Sequence, residues 1–354
     1  MSQFALSAAA TLRDAVAAIE RSRRLIAAVV GADGQLLGIL SDGDIRRALL
    51  AGRELDAPAA DAMTRSPITA LVSLRDDELV ELMLSRGTAA VPVVDDLGRF
   101  VRIVHLLDFD SRSAEVAGEA HGYAAAVIMA GGEGKRLRPL TAERPKPMID
   151  IGGVPLIERL VRAMVKSGLN RIYISTNYLG HLIEDHFGDG RNFGADIKYL
   201  REREKLGTAG ALSLLPERPD GPILVVNGDV LTNSDFGKLL DYHRETQAFV
   251  TVGAVIYRVQ IPFGVLRLKG HHAVGLEEKP SESFLCNAGI YVLGPEAFDF
   301  LPAAGAIDMT DLIAGAIAAG SNVSVFPIHE YWTDIGSPGD LQKALAEFQS
   351  EEAI

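Results

Sequence analysis

The chain is 354 residues long, 48% hydrophobic and 23% charged, the make-up of a soluble globular protein with room for two or three domains. A net charge of −12 argues against non-specific binding to nucleic acid or an anionic membrane, and the lone Cys286 excludes an intrachain disulfide. No apolar run approaches the roughly 20 residues of a membrane span, and Met1–Val16 lacks a basic stretch ahead of an apolar core, so the expectation is a cytoplasmic protein with no membrane or nucleic-acid partner.

The front of the chain repeats itself. Ile26–Asp44 (IAAVVGADGQLLGILSDGD) aligns without a gap on Ala90–Asp108 (AVPVVDDLGRFVRIVHLLD), an offset of 64 from 26 to 90. Val29-Val30 falls on Val93-Val94, Gly34 on Gly98 and Asp44 on Asp108. Upstream, TLRDAVAAIE matches SLRDDELVEL. Each copy reads helix, strand, turn, strand, helix. Neither copy can bury its faces alone, so the two are expected to pack as one unit. The phrases GILSDGDIRRAL and DAMTRSPITA resemble the cystathionine-β-synthase (CBS) domain pair over about the first 115 residues. The resemblance implies an adenine or guanine nucleotide held by Ser41 and Asp44, with Asp108 as the second-copy equivalent. Copy two departs from the pattern, with Arg102 in place of Gly38 and His105 in place of Ser41. A nucleotide-sensing role and a purely structural or dimerising role both fit, and Asp44 reads equally as a ligand or as a helix N-cap before IRRALL.

Phe109–Ala124 is small, polar and weakly periodic, and reads as a linker. The boundaries are set at 1–115 for the tandem module (repeats about 1–57 and 58–115), 116–124 for the linker and 125–354 for a larger domain. In that domain AAVIMA is an all-apolar strand. PLIERLVRAMVKSG is a helix with Pro155 suited to its first position and Gly168 as its stop. RIYIST, IKYLRE and PILVVNGD read as strands, with YLGHLIEDHF and AGALSLL as helices between them. Alternating strands and helices predict an α/β fold with a mainly parallel sheet covered on both faces. FGVLRLKGHHAVGLEEKP reads as a hairpin and AGIYVL as a further strand, so the sheet is expected to be mixed.

The segment MAGGEGKRLRPLTAERPKPM (Met129–Met148) carries the first lysine of the chain, Lys135. A Walker A loop fails because Arg136 follows Gly134-Lys135 and Met129 stands at the first glycine position. A dinucleotide fingerprint fails because Leu137 stands at the third glycine position. What remains is a glycine turn whose backbone N–H groups can wrap a phosphate or a base edge, followed by cations on proline-fixed turns. Arg136 and Lys146 can neutralise a polyphosphate. Asp229, at the end of the strand in ILVVNGDV, is a natural Mg²⁺ ligand facing such a polyphosphate, and Asp334 in YWTDIGSPGDL supplies a second carboxylate. In LEEKP, acid and base stand side by side, which suits a polyhydroxyl ligand bearing a phosphate. The LGTAGAL turn suits close approach of a flat ring. A zinc hydrolase is disfavoured, since His181 and His186 are five apart and do not share a helical face.

Together these motifs resemble the sugar-1-phosphate nucleotidyltransferases (nucleoside-diphosphate-sugar pyrophosphorylases) from Ala125 to about Phe348. The signature spans Gly131 to Met148, and LGTAGAL, NGDV, FGV, EEKP, NAGIYV and WTDIG follow in the family's order. The resemblance implies a Rossmann-like, glycosyltransferase-A-like mixed-sheet domain behind an α+β CBS pair. It implies that Gly131, Gly132 and Gly134 cradle base and phosphates, and that Gly207 and Thr208 lie against the base. By the same resemblance Arg136 would hold the leaving phosphates, and Lys146 would sit on the α-phosphate and the attacking sugar phosphate. Gly264, Glu278, Lys279 and Asn287 would hold the sugar phosphate, and Asp229 and Asp334 would bind Mg²⁺. Lys135 stands where the family often has Thr or another small polar residue. The implied partners are an NTP and a sugar 1-phosphate, and the assembly a homodimer or higher oligomer. The L-G-T-A-G form is usual in the mannose- and heptose-phosphate guanylyltransferase branch. A CBS pair ahead of such a domain resembles glucosamine-1-phosphate guanylyltransferases of legionaminic acid pathways. GTP is therefore the favoured nucleotide and glucosamine 1-phosphate or a related hexose or heptose 1-phosphate the acceptor. The rivals are a UTP, dTTP or CTP user and a sugar-nucleotide sensor without turnover.

Overall fold

The computed structural model of the chain describes residues 5–22, 26–86, 88, 90–105, 108–109, 122–302 and 305–351. The chain divides into two compact units, Met1–Ala117 and Gly118–Ile354. Residues 116–121 of the expected linker lie outside the described residues, as does most of the helix expected at the end of the second copy.

The first unit contains β1 (Ala5–Ser7), α1 (Leu12–Ser22), β2 (Ile26–Val30), β3 (Leu36–Ser41) and α2 (Asp42–Leu50), then β4 (Ala70–Leu71), α3 (Asp76–Ser85), β5 (Ala90–Val94) and β6 (Phe100–His105). In both copies the first strand runs parallel to the second and the second antiparallel to the third. The repeat extends to the register, which shifts between Val29 and Val30 in one copy and between Val93 and Val94 in the other. Three short strands cannot cover their own apolar face. Ile26 and Ala28 accordingly pack with Ala90 and Ile103. The two turns also exchange backbone bonds, Leu36 N to Gly98 O and Phe100 N to Gly34 O.

The start of α2 corrects one expectation. Its N-cap is Ser41, and Asp44 is the third helical residue of a capping box. Ser41 Oγ accepts from Asp44 N, and the Asp44 carboxylate accepts from Ser41 N at 2.8 Å and from Ser41 Oγ at 2.7 Å. The helix begins earlier than IRRALL suggests because this reciprocal cap satisfies its first amides. Asp108 accepts from His105 N in the same relation.

The second unit contains β7 (Ala125–Met129), a short hairpin of β8 (Asp150–Ile151) and β9 (Val154–Pro155), α4 (Leu156–Lys166), β10 (Arg171–Thr176), α5 (Gly180–Phe187), β11 (Asp196–Arg201), α6 (Gly207–Gly210), β12 (Ile223–Asn227), β13 (Val230–Thr232), α7 (Phe236–Glu245), β14 (Val250–Gln260), β15 (Gly264–Lys269), β16 (His272–Glu278), β17 (Ser281–Leu293), α8 (Met309–Ala318), β18 (Val323–Ile328), β19 (Trp332–Asp334) and α9 (Pro338–Glu351). Among the described residues seven strands form the central sheet, in the order β11-β10-β7-β12-β17-β14-β18. β7, β10, β11 and β12 are mutually parallel, whereas β17 is antiparallel to both neighbours, so the sheet is mixed.

Alternation along β7 explains why its sequence is apolar throughout. Ala126 and Ile128 pack on one face with residues of α4, α5 and α7, while Ala125 and Val127 pack on the other with Met309 and Leu312 of α8. Helix α4 buries Leu156, Ile157, Leu160, Val161 and Met164 as its pattern predicts. Pro155 stands one position earlier than expected, at the N-cap. AGALSLL does not form one helix: α6 ends at Gly210 and a 3-10 turn takes Ala211–Leu214. No described helix is long and apolar enough to cross a membrane.

Candidate active site

β7 and β12 lie side by side and end together, with Met129 opposite Asn227. Open α/β sheets gather ligands at this carboxyl edge. The glycine turn leaves β7 here, and Asn227-Gly228-Asp229 leaves β12, locked to it by Gly228 N donating to Met129 O at 2.8 Å. A cavity of about 410 Å³ opens between them, lined by Gly131, Gly132, Gly134, Gly207, Thr208 and Asp229 among others. The sequence thus names residues from three separate segments that the fold brings to one cavity. Gly134 is left-handed at φ 59°, and a Cβ there would stand 3.0 Å from Lys146 Cβ. The turn therefore closes directly onto the second cation-bearing turn.

Lys146 occupies a 3-10 turn between Pro145 and Pro147 and leaves 10% of its side chain exposed. Its ammonium lies 2.5 Å from Asp229 Oδ2 and 3.4 Å from Asp334 Oδ1. β13 brings the second carboxylate in by pairing antiparallel with β19, Val230 opposite Asp334, and Ile335 N donates to Asp229 O at 3.1 Å. One lysine thus answers two carboxylates. Burial raises the Asp334 carboxyl above its usual range, and the Asp229 charge pushes it the same way; Lys146 and Arg136 pull it down without cancelling the rise. Burial is the larger cause, and the neighbouring carboxylate adds to it. The donor set suits Mg²⁺, which takes hard oxygens from one or two carboxylates and completes its shell with phosphate and water. Arg136 is exposed and forms no hydrogen bond or ion pair among the described residues.

Thr208 is more constrained than the sequence suggested. Its hydroxyl donates to Asp308 Oδ1 and accepts from Met309 N, which fixes the start of α8. Lys135 pairs with Glu133 at 3.3 Å, and Lys205 pairs with the same carboxylate from across the cavity. Hydrogen bonds from Lys205 and Lys135 hold Glu133 below the usual carboxylate range.

The sugar-side residues lie elsewhere. Gly264 and Glu278 face each other at the base of the β15–β16 hairpin, followed by Lys279 at φ 49°. Asn287 Oδ1 accepts from Gly289 N at 2.9 Å. None of these four lines the cavity.

Of the lining residues that escaped the sequence reading, three bear on the chemistry. Glu202 follows β11 and is half-buried; burial raises its carboxyl, against hydrogen bonds from Leu206 N and Ser175. A Cβ on Gly131 would stand 2.5 Å from Glu202 Oε1, so glycine is what lets this carboxylate approach the turn. Lys205 is the second. Asn227 is the third; its Oδ1 is buried, without a hydrogen-bond partner among the described residues. A bound group offering a donor would satisfy it. Glu202 was hidden in the charged run REREK, which reads as a solvated loop. Its place one residue beyond a parallel strand was the available signal.

Residues 125–351 match the nucleotidyl transferase family model, and residues 2–51 and 59–114 match the CBS domain. The mannose-1-phosphate guanylyltransferase of Mycobacterium tuberculosis is 31% identical over 230 residues, covering 63% of this chain and 64% of that protein. The bifunctional protein GlmU of Methanococcus maripaludis is 33% identical over 235 residues, covering 63% of this chain and 54% of its own. The chain therefore spans less than two thirds of the length of these curated relatives. Among solved structures, HddC from Yersinia pseudotuberculosis complexed with GMP-PN superposes with a TM-score of 0.51 at 25% identity, covering 63% of this chain and 99% of that one. By its sequence matches and its sheet, the chain belongs to the nucleotidyl transferase family through residues 125–351, with two CBS domains preceding them.

Proposed function

We propose that the protein transfers a guanylyl group from GTP to a sugar 1-phosphate, giving a GDP-sugar and pyrophosphate. The observation that carries the reading is Lys146, buried between Asp229 and Asp334 at the edge of a glycine-lined cavity. Both reactants are anions, so the chemical task is to remove repulsion and hold an in-line geometry. A sugar-phosphate oxygen forms a bond to the α-phosphorus, the α–β bridging bond breaks, and its electron pair leaves on pyrophosphate. The nucleophile is already ionised at neutral pH, so no general base is required. Lys146 neutralises the α-phosphate and Arg136, exposed and without a hydrogen bond or ion pair among the described residues, takes the leaving phosphates. Mg²⁺ held by Asp229 and Asp334 would supply further charge neutralisation.

Glu202 supports guanine. A carboxylate at the glycine turn can accept from both the N1–H and the 2-amino group of guanine, a pair that uracil, thymine and cytosine do not offer. The names of the mannose-1-phosphate guanylyltransferase relative and of the GMP-PN complex point the same way. For the sugar, glucosamine 1-phosphate or a related hexose or heptose 1-phosphate is the acceptor class. At the CBS pair, an adenine or guanine nucleotide would have to share Ser41, Asp44 and Asp108 with the caps they now form. AMP, ATP and GMP are each expected to shift the melting temperature, and a flat response to all three removes that part.

The test is pyrophosphate release across GTP, UTP, dTTP and CTP against a panel of sugar 1-phosphates. GTP is expected to give the highest kcat/KM. Faster release from another nucleotide overturns the guanylyl assignment, and release from none favours a sensor without turnover.

A further inference from the structure

Glu133 stands in the glycine turn between Gly132 and Gly134. Both of its carboxylate oxygens are taken by lysines. Oε2 lies 3.3 Å from Lys135 Nζ, on the same turn, and Oε1 pairs with Lys205 Nζ. Lys205 comes from the segment between β11 and α6, so the contact crosses from one wall of the cavity to another. Among the described residues, neither lysine has another hydrogen bond or ion pair. Lys205 lies in the charged run REREK and belongs to none of the motifs that marked the site.

The cations of this cavity are held in two different ways. Lys146 leaves 10% of its side chain exposed, whereas Lys135 and Lys205 leave 65% each. Ion pairs that open to water contribute little to a fold. The contact with Glu133 is therefore easily broken, yet it aims two ammoniums at one anion from different sides. Each ammonium carries three donors on a flexible stem, which lets it follow phosphate oxygens. The anion they hold is singly charged and tethered to the turn. Nothing stands within 4 Å of where a Cβ on Gly132 would lie, so Glu133 has room to turn aside. A polyphosphate entering between the same walls brings more negative charge, repels Glu133 and offers the lysines stronger acceptors.

We propose that Lys135 and Lys205 form a phosphate-binding pair in the cavity, and that Glu133 is the built-in anion with which a ligand must compete for them. That the phosphate belongs to a nucleotide rests on the guanylyl-transfer reading; the pair and its competitor do not. The competition makes the site selective by charge. A ligand with one phosphate gains little over Glu133, whereas a triphosphate replaces it. The same competition acts after transfer, because Glu133 returning to the lysines weakens the hold on pyrophosphate.

The experiment is calorimetric titration of the full chain with pyrophosphate, GTP and GMP at fixed Mg²⁺. It compares wild type with Glu133→Gln, Lys205→Met and the double variant. Glu133→Gln is expected to bind pyrophosphate and GTP ~5-fold more tightly and to change GMP binding by about 2-fold at most. Lys205→Met is expected to bind pyrophosphate and GTP ~5-fold more weakly. In the Lys205→Met background the gain from Glu133→Gln should shrink to about 2-fold or less. Unchanged or weaker pyrophosphate binding by Glu133→Gln overturns the competitor and makes the contact a strap between the walls. A gain of the same size with and without Lys205 means that Glu133 acts by its field alone, and overturns the pair. Pyrophosphate binding by none of the four proteins overturns it as well. If Lys205→Met fails to fold, Lys205→Gln takes its place in the same comparison. The transfer reading is judged separately: if no nucleotide is turned over, that reading fails and the pyrophosphate titration still decides the pair.

Discussion

Lys146 and Lys279 carry the same charge to the same proposed substrates from opposite surroundings. Lys146 leaves 10% of its side chain exposed and sits between two carboxylates brought in by β12, β13 and β19. Lys279 stands exposed at φ 49°, on a ribbon that leaves the sheet. At the cavity, one lysine is shared between two carboxylates held by paired strands. On the ribbon, Lys279 is ordered by a backbone bond to Phe263 alone among the described hydrogen bonds. The difference separates two kinds of function. Charges in the low-dielectric site are coupled, so altering one disturbs the rest. Lys279, with no ion pair among the described residues, is expected to act singly, through the proposed ligand.

The largest effect is therefore expected at Asp229. Asp229→Asn keeps the shape and removes the carboxylate nearest Lys146. Pyrophosphate release is expected to fall on the order of 10³-fold, mostly in kcat. Turnover within a few-fold of wild type would mean that Asp229 is a packing residue and that the coupled charges are not the catalytic part.

Glu202 comes next, because it lines the cavity beside the glycine turn without belonging to the charge cluster. Glu202→Gln replaces one acceptor by an amide donor where the guanine edge is proposed to lie. The kcat/KM for GTP is expected to fall ~10–100-fold, with little change for UTP or dTTP. An equal loss for every nucleotide would show that Glu202 shapes the glycine turn instead of reading the base.

Much of this contrast was legible before the fold. The apolar runs of β7 and β12, the glycine turn and the carboxyl-edge position of Asp229 all follow from local pattern, because buried parallel strands leave an uninterrupted apolar signature. The rest depends on chain crossings that no local pattern encodes. Asp334 reaches Lys146 only because β19 pairs with β13 across about a hundred residues of sequence. AGIYVL showed the buried half of β17, but SESFLCN, its exposed half, lacks the alternation that marks a strand. Asp44 looked like an N-cap because a helix start is read from the first apolar period, while the cap was Ser41, three residues before it. Glu202 was invisible for the opposite reason: a charged run looks solvated until the strand before it is placed beside β10.

On the ribbon a smaller effect is expected. Lys279→Met removes the charge and keeps the length of the side chain. The KM for the sugar 1-phosphate is expected to rise about 10-fold, with the KM for GTP and the melting temperature unchanged. A matching loss in GTP binding would place Lys279 in the cavity's charge network and erase the distinction between the two ends.

The smallest effect tests whether the cavity's charges are coupled through protons as well as through distance. Burial and the neighbouring Asp229 raise the Asp334 carboxyl above its ordinary 3.8. Between 3.8 and that raised value the folded protein binds a proton at Asp334 that the unfolded chain releases. The folded state then binds more protons than the unfolded one, so this group's contribution to stability grows as pH falls through the window. Metal binding must go the other way, since a protonated carboxyl no longer attracts Mg²⁺. Acidification is thus expected to weaken Mg²⁺ binding a few-fold while Asp334 destabilises the fold less. Asp334→Asn should remove both trends. Water screens a side chain that is 44% exposed, so the change in stability should be small. The check is Mg²⁺ titration and denaturant unfolding of wild type and Asp334→Asn at matched pH. If both quantities fall together in wild type, acid is acting on the fold and Asp334 is not the group that titrates.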